Sequence, residues 1–208
     1  MQPAFTIKEA IKYGWDKTVD HLGFLVLLTL GFFVFNIIFQ KEGGAFFHLL
    51  NVLIGYYSMF IFIHVGLKIH RGERPTIKDV FDIDLARFGL YIVAAFLTMI
   101  LITGGFILLI IPGILLAIRL SFTGFALVED RLDPIESIKK SWALSRGRFW
   151  PLFGFACVLF LINIAGAIAL GVGLLFTSPL CLLATVYVYK KLKEAPALVQ
   201  AAAAAPTV

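Results

Sequence analysis

Hydroxyls apart, the polar side chains that interrupt the apolar runs of this sequence are few: Asn36, His48, Asn51, His64, Asn163 and a single cation, Arg119. Amides and a guanidinium in such surroundings suit a hydrogen-bonding or anionic ligand, since an unpaired polar group in lipid is costly and an intramembrane Arg marks a functional site by default. Counted from the outward turns, Asn36, Asn51, Arg119 and Asn163 lie within about two helical turns of one surface, with His48 on the same stretch. They can therefore converge in one polar cluster able to bind a ligand or a headgroup. The alternative is structural: each group finds its own satisfaction, and Arg119, seven residues from Pro112, snorkels outward towards Glu42. None of the 13 Asp and Glu falls inside an apolar run. Proton- and ion-coupled transporters commonly place a carboxylate at membrane depth, so coupled transport is disfavoured.

Other chemistries lack their residues. The sequence has no Gly-rich phosphate loop, no paired zinc ligands and no nucleophile–base constellation, and its His residues are scattered. No catalytic residue, metal site or cofactor is expected. Cys157 and Cys181 sit inside apolar runs, where a Cys ordinarily serves as small apolar filler. Pro179 falls inside the last run and is expected to kink it or free a carbonyl.

The elements that must position these residues follow from composition. Of 208 residues, 60% are hydrophobic and 15% charged, with mean hydropathy +0.94. Soluble domains are about 45–50% apolar and about 25% charged. A chain this short cannot bury so much apolar surface in water, which excludes a soluble enzyme, a disordered protein and a disulfide scaffold. Apolar runs cover Leu22–Phe39, Phe46–Gly66, Phe88–Ile111, Ile114–Val128 and Phe149–Tyr189, the last dividing near Gly171–Gly173. A bilayer core needs roughly 20 helical residues per crossing. The spacing predicts an all-α membrane protein with six transmembrane helices and turns at Glu42–Gly44, Pro112–Gly113 and Gly171–Gly173.

An internal repeat organises the spans. Thr6 to Trp15 aligns without gaps on Asp133 to Trp142, with Glu9/Glu136, Ile11/Ile138, Lys12/Lys139 and Trp15/Trp142 identical; Thr76-Ile-Lys-Asp79-Val-Phe81 is a weaker third copy. Each copy begins with a Thr or Asp N-cap and an acidic residue three positions on, and Pro134 suits a first helical position. The next turn falls 36–38 residues after each cap. The chain thus reads as one six-span domain over 1–193, in three units (5–71, 75–130 and 133–193), followed by an Ala/Pro-rich flexible tail over 194–208. Each unit is an interfacial amphipathic helix plus a two-span hairpin.

The leading helices have the pattern of headgroup-layer helices. Ile7, Ala10, Ile11, Gly14 and Trp15 form one stripe, with Lys8, Glu9, Lys12 and Asp16 facing away; Ile135, Ile138 and Trp142 repeat it, with Glu136 and Lys140 opposite. Trp15, Trp142, Trp150, Lys139, Arg146 and Arg148 are the expected interfacial anchors, and Gly147 suits the end of the third leading helix. Such helices brace a bundle; they can also recognise anionic headgroups. Of 18 Lys and Arg, 16 fall on the side of these helices, which predicts a cytoplasmic location for that face and for both termini. The net charge of +5 is then a topology signal, and no nucleic-acid partner is needed to explain it. The first run, preceded by Lys8, Lys12 and Lys17, reads as a span and not a cleaved leader, because it exits into Gln40-Lys41-Glu42.

Ile111-Pro-Gly-Ile-Leu-Leu-Ala-Ile-Arg119, Val128-Glu-Asp130 and the stretch from Ile135 through Trp142 to Trp150 form a series that resembles the membrane domain of some bacterial glycerophosphodiester phosphodiesterases and related uncharacterised six-span bacterial proteins. Gly171-Val-Gly173, Thr177 and Pro179, and Gly66-Leu67 through Arg71-Gly72, extend the resemblance. It implies a prokaryotic inner-membrane protein. It carries no activity across, because the phosphodiesterase chemistry belongs to a separate barrel of about 250 residues, and no position here matches a catalytic residue of that family. The expectation is a non-catalytic scaffold or accessory protein engaging membrane lipids, anionic headgroups included, or a membrane or peripheral protein partner. The alternatives are a small-solute or lipid-handling transporter and a regulatory membrane subunit of a separately encoded phosphodiesterase.

Overall fold

The structure is a computed structural model and describes residues 5–40, 44–81, 84–169 and 172–204. Among them the regular elements are ten α-helices: α1 (Ile7–Asp20), α2 (Leu22–Gln40), α3 (Ala45–His70), α4 (Lys78–Phe81), α5 (Leu85–Leu108), α6 (Ile110–Leu120), α7 (Thr123–Asp130), α8 (Pro134–Ser145), α9 (Phe149–Ile168) and α10 (Leu174–Ala204). Helices satisfy every backbone group within their own segment, the condition lipid imposes. Four of them, Phe46–His70, Leu85–Leu108, the joined Ile110–Asp130 and Phe149–Ile168, are long and apolar enough to cross a membrane. The pair α1 and α2, bent by 90° at their junction, would make a fifth. Large apolar side chains such as Phe33, Phe96, Phe160 and Leu161 point outward, as lipid contact requires and water would not tolerate.

The leading helices start as their sequences dictate. The Thr6 hydroxyl oxygen accepts from the Glu9 N–H at 3.4 Å. The Asp79 carboxylate takes the Thr76 N–H at 2.7 Å, the return arm of the same cap. Asp133 holds the extended N-cap backbone before Pro134, but its side chain makes no cap bond. Gly147, at φ +74°, supplies the left-handed residue that turns α8 into α9.

Two expected boundaries move. The turn after α5 falls at Leu109, with extended backbone (φ −168°, ψ 154°), and not at Pro112–Gly113. Proline is tolerated in a first helical turn, where its missing N–H has no partner to lose, so α6 begins at Ile110 and passes through it. This lengthens the fourth apolar helix at both ends, carrying Glu129 and Asp130 into its last turn. The stretch expected as a flexible tail from residue 194 instead continues α10 to Ala204, in keeping with the high helix propensity of alanine. The division near Gly171 and the turn at residues 41–43 lie outside the described residues.

Packing follows a regular order. The hairpin partners α2 and α3, α5 and α6, and α9 and α10 lie against each other; α3, α7 and α10 meet in the centre. Of the short helices, α1 packs on α10, α4 on α3 and α8 on α7; α2 also lies beside α10, α5 beside α3 and α9 beside α6. Close contacts depend on small residues. A Cβ at Gly14 of α1 would stand 2.6 Å from the Leu180 carbonyl oxygen, and one at Gly105 would meet Gly113 Cα at 3.1 Å. Along α10, Leu182, Ala184, Val186, Val188, Tyr189 and Leu192 are buried in the main core, while Leu183 joins Leu25, Ile61, Val65 and Ile69 in a second cluster.

Candidate functional site

The junction between α6 and α7 is where α8 engages the bundle. Leu120 ends α6 and Thr123 begins α7, so the intervening turn leaves backbone groups without helical partners. Serines of α8 supply them. Ser141 Oγ donates to the Arg119 carbonyl at 2.7 Å and accepts from the Phe122 N–H at 3.1 Å. The Ser145 hydroxyl also reaches the Arg119 carbonyl, at 3.1 Å. Ser137, Ser141 and Ser145 recur every four residues and are all buried, so they form the protein-facing stripe of α8. The same positions of α1, displaced by the repeat, are Ala10, Gly14 and Thr18, and these too are buried.

The single apolar stripe expected on each leading helix is therefore divided. Small residues turn to the bundle because they allow close approach; large ones face outward. Ile135 is 61% exposed, Trp142 38% and Trp15 53%, while Ile7, Ile11 and Ile138 are half-buried. Lys140, expected on the solvated face, reaches inward to Asp130 at 2.6 Å.

Glu42 lies outside the described residues, and among them the Arg119 side chain makes no hydrogen bond to Asn36, Asn51 or Asn163. Its guanidinium carbon lies 4.4 Å from the centre of the Trp142 ring, a cation–π contact. No carboxylate and no hydrogen-bond acceptor meets its side chain among the described residues, and its Nε is buried without a partner. Trp142 lies on a second stripe of α8 that runs into its C-cap: Ile135, Lys139, Trp142 and the C-cap residue Arg146, at intervals of four, three and four residues, are all exposed. Of the expected anchors, this stripe brings Lys139, Trp142 and Arg146 to one face, with Arg119 against the tryptophan. Trp150, 76% exposed, packs with Phe149 and Phe153 on α9, and Arg148 is the half-buried N-cap of that helix. Trp15 meets Phe176 of α10 edge-on, ring centres 4.9 Å apart.

Asn36 and Asn163, two other members of the expected cluster, bond within their own helix or hairpin. Asn36 Nδ2 donates to the Phe32 carbonyl of its own helix at 3.2 Å. Asn163 Nδ2 donates to the Leu159 carbonyl at 3.0 Å and contacts Cys181 Sγ at 3.2 Å, while Thr177 donates to its Oδ1. Asn51 is half-buried and His48 exposed on α3. No hydrogen bond joins any two of Arg119, Asn36, His48, Asn51 and Asn163 among the described residues. A carbonyl four residues back is always within reach of a helical side chain, and it serves these amides better than a distant partner. Asn163 and Cys181 do share one depth across the α9–α10 hairpin, so the thiol has a polar neighbour and is not mere filler.

A charged cluster escaped the sequence. Asp130 bonds Lys140, Lys193 and the Tyr189 hydroxyl, the last at 2.9 Å; Glu129 bonds Lys190 and Lys193. These groups pin the end of α7 to α10 and α8. The only signal was a pair of acids at 129–130 followed by Lys140 ten positions on and by Lys190 and Lys193 some 60 positions on. A groove of about 350 Å³ between α5 and the α6–α7 joint, lined by Tyr91, Thr98, Thr103, Leu120, Thr123 and Gly124, carries no charge. No group of three His, Cys, Asp or Glu able to hold a metal occurs among the described residues.

Residues 36–208 match a family described as DUF7847, a domain of unknown function. No curated protein and no solved structure matches the chain.

Proposed function

We propose that this chain, which belongs to the DUF7847 family, a domain of unknown function, is a non-catalytic scaffold of a prokaryotic cytoplasmic membrane, engaging lipid or a protein partner through its short helices. Six spans are α2, α3, α5, α6–α7, α9 and α10, grouped with α1, α4 and α8 into three units. The cyclic order of packing supports this grouping, since each short helix rests on the last helix of the preceding unit and α1 rests on that of the third. The excess of Lys and Arg beside the short helices supports their cytoplasmic placement.

The observation that carries the reading is the division of α8. Its serine stripe is tied to the backbone at Arg119 and Phe122, which fixes the helix, while Ile135, Lys139, Trp142 and Arg146 remain outward. A fixed amphipathic helix with aromatic, aliphatic and basic side chains outward is suited to the headgroup layer. The test is reconstitution of the purified chain into proteoliposomes. The scaffold reading expects no selective solute flux above protein-free vesicles. Selective uptake abolished by Arg119→Ala would refute it in favour of a transporter. A cysteine at position 139 (K139C, in a background lacking Cys157 and Cys181) should react with an impermeant reagent in inverted vesicles and not in intact cells; the opposite pattern overturns the orientation.

A further inference from the structure

We infer that the recess at the elbow between α1 and α2 seats a phosphate group, and that its occupant is an anionic phospholipid whose headgroup meets Arg74 and His21 and whose acyl chain runs down α2. The inference rests on the six-span reading, which starts α2 at the headgroup layer.

The chain bends by 90° where α1 hands over to α2. A recess of about 600 Å³ opens at this bend, lined by Asp20, His21, Gly23 and Phe24 of the elbow and by Arg74 from the loop after α3. A helix in the membrane plane that turns at a right angle into a span places its elbow at the depth of lipid phosphates.

The recess carries positive charge without a counterion. Asp20, the acid in its lining, pairs with Lys17 at 3.2 Å. In the loop after α3, Glu73 pairs with Arg71 and Lys68, and Asp79 with Lys68. Arg74 has no acid and no hydrogen-bond acceptor among the described residues. Burial, and the charges of Lys17 and Arg74 acting against Asp20, hold the His21 imidazole below its usual range. A guanidinium fork matches two phosphate oxygens, and a neutral imidazole donates one N–H. The two side chains can thus hold one phosphate.

Below the recess runs an apolar track. Gly23, Leu27, Leu30 and Val34, at intervals of four, three and four residues, share one face of α2, and the three larger side chains are exposed. A Cβ at Gly23 would meet nothing within 4 Å, so the track is open where it enters the recess. A basic recess that continues into an exposed apolar strip has the outline of a phospholipid. A free anion would use the recess alone.

The test uses the full chain with a single reporter tryptophan on the track (L27W, in a W15F/W142F/W150F background). It is placed in lipid discs of phosphatidylcholine containing either dibrominated phosphatidylglycerol or dibrominated phosphatidylcholine at equal mole fraction. Bromine quenches indole fluorescence on contact. Quenching should report roughly fivefold enrichment of the anionic lipid, the factor one basic residue contributes at an anionic surface. Arg74→Gln should abolish that preference and leave quenching by brominated phosphatidylcholine unchanged. Arg87→Gln, which removes a cation of the first turn of α5 outside the recess, should leave the preference intact. Inorganic phosphate at millimolar concentration should not displace the lipid. Native mass spectrometry of the unsubstituted chain, released from discs of equal phosphatidylglycerol and phosphatidylcholine, should show the same preference among retained lipids. Equal retention there overturns the site, and needs no folded variant. A preference that survives R74Q, or falls as far in R87Q, overturns the assignment to the recess. Displacement by phosphate overturns the lipid in favour of a soluble anion. Absence of quenching by either lipid would instead remove α2 from the bilayer, which separates failure of the span reading from failure of the site.

Discussion

Replacing Ser141 by Ala removes one hydroxyl from a fully buried position and changes little else. Two bonds disappear: the donation to the Arg119 carbonyl at 2.7 Å and the acceptance from the Phe122 N–H at 3.1 Å. Their losses differ. The Arg119 carbonyl retains Ser145 at 3.1 Å, whereas no second acceptor meets the Phe122 N–H among the described residues. A buried donor left unpaired costs about 1–3 kcal/mol. S141A should therefore cost about 2 kcal/mol, which for a chain of this size is roughly a 4–8 °C fall in Tm. Ser145→Ala should cost less, about 1 kcal/mol or below, because Ser141 still serves the carbonyl. The double variant should exceed the sum of the singles, since only it leaves both backbone groups bare. Thermal unfolding in detergent, followed by far-UV circular dichroism, measures all three. S141A at wild-type stability, or strict additivity in the cycle, would refute the claim that these serines satisfy the α6–α7 turn.

Gly14→Ala places a methyl 2.6 Å from a backbone oxygen of α10, which no rotamer change can relieve. Overpacking of about 1–3 kcal/mol should outweigh the gain of up to about 1 kcal/mol in helix propensity. Gly31→Ala on α2, with nothing within 4 Å, should be neutral or stabilising in the same melt. Asp79 is held below the usual carboxylate range by its hydrogen bond from Lys68 and by the Thr76 N–H. Its contribution is complete above the unfolded carboxylate range and is lost as pH falls through the lower folded value. Tm should therefore decline below about pH 4 more steeply in the wild type than in Asp79→Asn; parallel acid limbs would exclude the pair as a contributor.

The helices were legible because apolar run length is a direct physical requirement of a bilayer. The first run begins at Leu22, where α2 begins, and Thr6, Asp133 and Gly147 mark helix ends where their chemistry places them. Orientation of the short helices was not legible by the same means. In water, apolar residues face the protein; beside lipid, Trp142 and Ile135 can face out, and smallness, as in Ser137, Ser141 and Ser145, decides which side packs. The hydrogen bonds of the polar residues were not legible, because depth counting fixes no rotation about a helix axis. Asn36 and Asn163 each have a carbonyl one turn back in their own helix, and Arg119 turns to α8, a helix whose position no spacing specifies. The Asp130 cluster joins groups far apart in sequence, so only the fold could reveal it.

The seat of α1 on α10 has a consequence for biosynthesis. Gly14 precedes the Leu180 carbonyl it packs against by 166 residues. At translation rates of 5–20 residues per second, α1 waits roughly 10–30 s for its binding surface to exist. Thus α1 docks late, and until then its small-residue face stands open to whatever else the membrane offers. Docking of α1 therefore waits on α10, and a chain arrested before α10 would display an unoccupied α1 as a visible mark of incompleteness.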